Sequence, residues 1–379
     1  MRIIGPLLAG DAEAIIVNND RLIYAASFLS PIILPVFIEN YIFVYSILHI
    51  YEFFMRRPRL YRLSLFFALL TAGTAYAQSD LTRRINEYGR FDHWCVREVK
   101  ESSIIGGQTK YLYEFYGNQD TTFTGRIPYK SPEDYPWRTN NVLAIVAGVV
   151  KTNNTVYPEP RDGGYCARIE THLEEVKALG IVNMDVVCQG TMMVGTLPEP
   201  IRDTKSPMTK VVYGTPYTGT PKALRFDYKA DIGHPAVRGT GFSKLKTLDY
   251  PDYAEITFIL QKRWEDPDGR VHALRVATGI ECIDRDVPEW VNGHEIQLKY
   301  GDVTGTPGYE PYMGLKTDPE TAYRTYNSKG ENVMVEEDGW AEPGTEPNYM
   351  VILFISSCGK AFYGGVGNVL WIDNVEIVM

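Results

Sequence analysis

The chain has 379 residues, enough for one large or two ordinary domains. Its formal net charge of -9 and pI of about 5.3 argue against a nucleic-acid backbone as partner. Aromatic residues make up 12% of the chain, and 33 Gly and 23 Pro supply many turn formers, a composition that suits a β-rich protein.

From Met55 the sequence reads MRRPRLYRLSLFFALLTAGTAYAQSD. Arg56, Arg57, Arg59 and Arg62 form a basic start, residues 63–70 an apolar stretch, and Ala75-Tyr76-Ala77 an A-x-A cleavage signal. Residues 55–77 therefore read as a complete secretory signal peptide, with Gln78 the first mature residue. No Cys follows the cut, so lipid anchoring is not indicated. Upstream, residues 1–54 hold apolar runs at 22–38 and 41–55, the first interrupted by Pro31 and Pro35. They read either as a pair of membrane segments or as an extension preceding a true start at Met55. The second reading is preferred, because a signal peptide works at a chain start. The expectation is an exported chain, in the periplasm or on the outer cell surface, with no membrane insertion of its mature part.

Residues 78–90 form a polar lead-in. From Phe91 the pattern turns to short β segments, with no repeat and no break in composition, so 78–379 reads as a single domain. The stretch 137–171 is central. It reads as a buried strand over 142–150, a polar turn over 151–155, a Pro/Gly-rich loop over 158–164 and a strand over 165–170. Alternation in that last piece puts Tyr165, Ala167 and Ile169 on one face, and Cys166, Arg168 and Glu170 on the other. Such a strand has one dry face and one polar face. A helix is expected next, since Thr171 and Glu174 match a capping box, Leu173 and Val176 share a face, and Gly180 would stop it. Residues 253–278 read as a hairpin turning at Asp266-Pro267-Asp268-Gly269, where turn chemistry accounts for the D-P-D-G without a metal. Further strands are expected over 183–188, 223–228, 294–300, 350–356 and 370–378. The fold class is all-β, a jelly-roll sandwich with one short helix.

Motifs for catalysis are lacking. There is no G-x-S-x-G elbow, no H-E-x-x-H and no phosphate-binding glycine loop. Cys95, Cys166, Cys188, Cys282 and Cys358 form no C-x-x-C pair, and they read as small buried hydrophobes rather than as ligands or disulfides. What remains is a polar strip that alternation could gather on one sheet face: Arg168 and Glu170, then Arg225, Asp227 and Lys229, then Glu255 and Gln261. Adjacent carboxylates and cations can hydrogen-bond sugar hydroxyls while an aromatic ring stacks on the sugar's apolar face. Trp137 and Trp264 are the candidate rings. The competing account is a sheet face whose charges pair with one another, with both tryptophans as edge packing. Trp94, Trp290, Trp340 and Trp371 read as structural.

Four stretches occur in order: PWRTNNVLAIVAGVVKTNNTVYPEPRDGGYCARIET, GTPYTGTPKALRFDYK, ILQKRWEDPDG and GGVGNVLWIDNVEIV. On these the chain from about Trp94 to Met379 closely resembles the putative carbohydrate metabolism domain (PCMD) family. The resemblance implies an exported bacterial protein with a β jelly roll similar to carbohydrate-binding modules, doing sugar-related work outside the cytoplasm. It supplies no catalytic residues. In β-sandwich binding modules a final-strand Asp often helps to hold a structural calcium ion, which here would pair Asp373 with Asp92. Two carboxylates fall short of the roughly six to eight oxygens calcium takes, and an Asx turn or bulge is the simpler account. No cofactor is otherwise required. Three functions stay open: glycan binding that assists carbohydrate use at the cell envelope, glycoside hydrolysis, and a non-catalytic adhesive or structural role. Hydrolysis needs two carboxyl groups about 5 Å or roughly 6.5–9.5 Å apart. Glu170, Asp227 and Glu255 are available for it.

Overall fold

The runs AEITFILQ and YMVILFI are buried at nearly every position rather than at alternate ones, the pattern of strands covered on both faces. They form the middle of the larger of two packed sheets. In this computed structural model residues 80–379 are described, apart from 133–134, 179–181, 204–205, 242 and 358–359, together with the strands Arg2–Ile3, Ile16–Asn18 and Arg21–Ile23. The chain divides into two units, Met1–Gly73 and Thr74–Met379. In the first, the three short strands pair antiparallel in chain order. The signal-peptide segment and the apolar runs lie outside the described residues, except for Leu22 and Ile23. Among the described residues no helix is long and apolar enough to cross a membrane.

The second unit is an all-β sandwich. It is carried by β1 (Val156–Arg161), β2 (Gly164–Glu170), β3 (Thr191–Thr196), β4 (Ala223–Asp231), β5 (Ala254–Glu265), β6 (Val271–Ile283), β7 (Val287–Gln297), β8 (Asn332–Trp340), β9 (Tyr349–Ile355) and β10 (Val369–Val378). One sheet runs β1-β2-β10-β4-β7, antiparallel throughout. The other runs β3-β9-β5-β6-β8, antiparallel except for β6 against β8, and is extended at its ends by Val212–Tyr213 and Arg324–Tyr326. Their facing sides share one core. Ala167, Ile169, Leu224, Phe226, Leu370 and Ile372 of the first sheet meet Ile256, Phe258, Leu260, Ile352 and Phe354 of the second. The rings of Phe226 and Phe354 meet edge to face across it at 5.3 Å. A second cluster, including Met193, Ile259, Val351, Leu353, Tyr213 and Tyr323, covers the far side of the larger sheet. The smaller sheet keeps its far side towards water, so its strands alternate, and the larger one does not.

Three local expectations are corrected. The helix is at 80–87, where Asp80 pairs with Arg83 and Arg84, and not after Thr171. His172–Ala178 is instead a strand, paired antiparallel with Val182–Cys188. Thr171 cannot act as a cap because its hydroxyl is buried against Ser356 Oγ at 2.8 Å and its N–H donates to the Asn368 carbonyl. Residues 142–150 are not one strand but a hairpin, Val142–Val146 with Val149–Asn153, turning at Ala147 and Gly148, both at positive φ. The 158–164 loop belongs mostly to β1, which turns into β2 at Asp162-Gly163, φ 48° and 86°, the pair a two-residue hairpin turn favours. Cys95, Cys166, Cys188 and Cys282 are free thiols, two buried and two half-buried; Cys358 lies outside the described residues.

Candidate functional site

The smaller sheet's outward face gathers much of the expected polar strip. Register aligns Arg168 with Trp371 and Trp371 with Lys229, and Arg225 with both Glu295 and Glu376. Yet this face is occupied with itself. Arg168 Nη2 is 2.5 Å from Glu170 Oε2, and Arg225 Nη2 is 2.6 Å from Glu295 Oε1. Arg161 bridges Asp227 at 2.9 Å and Asp373 at 2.8 Å while its guanidinium lies 3.7 Å from the Trp290 ring centroid. Lys229 Nζ sits 4.2 Å from the ring of Trp371. Cations cover the aromatic faces and neutralise the carboxylates, which leaves little for a ligand to displace.

The same contacts decide how Asp92 and Asp373 suit calcium. Asp373 accepts from Arg161 and from the N–H of Asn374 at 2.8 Å, and Asp92 accepts from the N–H of Tyr165 at 3.3 Å and approaches Arg90 Nε at 3.4 Å. Their oxygens already face donors, so these residues do not make a calcium cage. Burial pushes the Asp373 carboxyl up to about 6, against Asn374 and Arg161 and with help from the Asp227 and Asp92 charges.

Trp137 is not a platform. It is 0% exposed, packed against Phe91 and Phe354, because its short strand Trp137–Thr139 pairs with β3 and turns the ring into the core. Gln261, also 0% exposed, is sealed in the larger sheet, where it donates to Glu337 Oε1 at 2.6 Å. Trp264 is 43% exposed, but its ring stacks on His272, centroids 5.5 Å apart. That imidazole meets Asp338 at 2.9 Å and Asp266 at 3.4 Å, and with Glu336 and Asp338 it forms a group whose ligand atoms lie within 4.8 Å of one another. Asp266 also caps its own turn, accepting from the N–H groups of Asp268 and Arg270.

Glu255 has a different setting. Its outward-pointing position on β5 places it at the floor of a cavity of about 250 Å³ over the far side of the larger sheet. Apolar walls come from Met193, Leu353, Ile355 and Phe362, and polar ones from Asn140 and Asn153. Glu255 is 5% exposed, accepts from Thr257 Oγ1 at 3.1 Å and faces Lys316 Nζ at 3.4 Å. Tyr323, 3% exposed, lines the same cavity, and among the described residues its buried hydroxyl has no hydrogen-bond partner. Burial pushes that phenol up to about 12, with Arg275 and Lys316 opposing and Glu337 and Glu255 reinforcing. Lys316 is held from below, its N–H donating to Glu337 Oε2 at 2.7 Å. Glu337 is itself clamped by Arg275, both side chains fully buried. A second cavity, of about 370 Å³, shares Pro207, Glu320, Ala361 and Phe362 with the first, so the two form one groove. Phe362 adopts φ 71° in its wall, a conformation a bulky side chain rarely takes. Lys316 and Tyr323 lie in a stretch without strand alternation, so no sequence pattern singled them out.

The fold is thus an all-β sandwich that keeps one self-paired polar face and opens a groove floored by buried polar side chains on the other sheet. The chain belongs to the putative carbohydrate metabolism domain family, whose model matches residues 91–378. That membership assigns it a carbohydrate-related role. Among solved structures similar to it are two titled as putative glycoside hydrolases. One is titled a putative glycoside hydrolase from Bacteroides vulgatus, 17% identical, covering 76% of this chain and 96% of that one at a TM-score of 0.37. The other is titled a putative glycoside hydrolase from Bacteroides thetaiotaomicron, 14% identical, covering 72% and 81% at a TM-score of 0.35. At these identities and scores neither likeness extends to activity. No curated protein matches the chain.

Proposed function

We propose that this protein binds carbohydrate in the groove above Glu255, and that it does so outside the cytoplasm as part of glycan utilisation at the cell envelope. The observation that carries the reading is the convergence of Glu255, Lys316 and the unpartnered hydroxyl of Tyr323 on one cavity floor. A sugar hydroxyl donates one hydrogen bond and accepts up to two. Here it would donate to the Glu255 carboxylate and accept from the Lys316 ammonium and the Tyr323 phenol. The apolar wall of Met193, Leu353 and Phe362 suits the C–H face of a pyranose ring. Export is supported by the basic, apolar and A-x-A segments at 55–77, and a mature N-terminus at Gln78 is the expected product.

Titration calorimetry against plant, host and microbial oligosaccharides tests the binding. Glu255→Gln is expected to weaken it about tenfold or more, since a hydrogen bond to a charged group contributes roughly 1.5–3 kcal/mol, and Tyr323→Phe about two- to tenfold, since a neutral one contributes roughly 0.5–1.5 kcal/mol. A protein that binds none of the panel, or variants that bind as the parent does, would overturn the proposal. Hydrolysis is the second reading, because Glu255 and Glu320 line the same cavity. Release of reducing ends from a bound oligosaccharide, abolished by Glu255→Gln, would establish it in place of simple binding.

A further inference from the structure

The second cavity differs in charge from everything around it. It is lined by Arg238, Arg324 and Lys360 against a single carboxylate, Glu320, in a chain of net charge -9. Lys360 spends its charge on Glu320 at 2.6 Å and Asp318 at 2.9 Å. The two arginines do not. Arg324 uses Nε and Nη2 on Asn332, at 2.6 and 2.9 Å, and keeps its other N–H groups. Arg238 lies at the end of the Pro235–Arg238 strand, its guanidinium 5.8 Å from the Tyr363 ring centroid. Among the described residues, neither meets a carboxylate. On the smaller sheet's face, by contrast, Arg161, Arg168 and Arg225 are all ion-paired. Burial lowers the Arg324 pKa, with Tyr213 acting against it.

We propose that this cavity is a subsite for an acidic sugar unit, its carboxylate or sulfate held by Arg238 and Arg324 while the neighbouring unit occupies the floor above Glu255. The inference rests on the groove being the carbohydrate site and adds the class of glycan it selects. Guanidinium groups bind planar or tetrahedral oxyanions through paired N–H donors, and such charge-assisted bonds are about twice as strong as neutral ones. A cavity of about 370 Å³ falls within the range ligand sites take, roughly 300–1,000 Å³. The shared walls of the two cavities, at Pro207 and Phe362, would let one oligosaccharide span both.

The test titrates the full chain with trigalacturonate, with its methyl ester, and with a galactose trisaccharide before and after sulfation. One or both anionic sugars should bind at least about tenfold tighter than its neutral counterpart, a preference that shrinks as salt rises. Whichever is favoured identifies the anion. Arg238→Gln should reduce the preference to less than about threefold by weakening the anionic sugar much more than the neutral one, while Arg238→Lys should keep part of the preference. Equal binding of charged and neutral sugars overturns the inference and leaves the groove reading intact, as does a preference that survives in Arg238→Gln. Failure of every sugar, with or without charge, overturns both.

Discussion

Arg275→Met removes a charge pair whose two side chains are fully buried and shows what holds the groove floor in place. The Glu337 carboxylate accepts from Arg275 Nε at 2.6 Å, from Arg275 Nη2, from Gln261 Nε2 at 2.6 Å and from the Lys316 N–H at 2.7 Å. Methionine fills a similar volume but leaves a buried carboxylate with two neutral donors. Breaking such a pair from one side costs about 3–5 kcal/mol, a large part of the roughly 5–15 kcal/mol that holds a domain folded. Replacing both partners is different: Arg275→Met with Glu337→Met buries no charge and should recover most of the loss. Urea unfolding at pH 7 reads both. The pH dependence has a definite sign. Although burial opposes it, Arg275 and the other donors hold the Glu337 pKa below the usual glutamate value. Its contribution is therefore present above the unfolded pKa and lost as pH falls through the folded one, so the parent should lose more of its advantage over Arg275→Met at pH 3–4 than at pH 7. Because Lys316 hangs from Glu337, sugar affinity should fall with the single substitution. A single variant losing less than about 1 kcal/mol would refute this account of the floor.

Three further outcomes are expected. Trp137→Ala should cost about 3–5 kcal/mol in thermal or urea unfolding, as a large aromatic leaving a filled core does, whereas Trp264→Ala, outside the groove, should leave sugar affinity within about twofold. Burial works against a charge on His172, but the carboxylates of Glu170 and Glu174, each 3.4 Å from a ring nitrogen, outweigh it and raise its pKa to about 9. Its stabilising contribution is thus full below pH 6.5 and lost as pH rises through about 9, so His172→Gln should destabilise at pH 6 and do little at pH 10; an imidazole that titrates near 6.5 by NMR would refute this.

Alternation in GYCARIE, ALRFDYKAD and VLWIDNVEIV was enough to assign which side chains share the smaller sheet's wet face, because a strand's period is a local property of the backbone. The all-β class followed from the same periodicity, and the 266–269 turn from its turn residues. Local signals failed where long-range pairing outvoted them. Thr171 and Glu174 carry a capping pattern, yet Ser356 and Asn368 claim Thr171, and the segment pairs as a strand. Trp137 looks like an exposed ring beside Arg138 until its short strand joins β3. The groove lay beyond any sequence pattern, since it is made where β5, the loop bearing Lys316 and Tyr323, and the chain around Phe362 meet. Glu255 alone among its floor residues stood in a legible strand. Whether a charged face is open or satisfied with itself depends on partners distant in the chain, and only their positions in space separated the paired Arg161, Arg168 and Arg225 from Arg238 and Arg324.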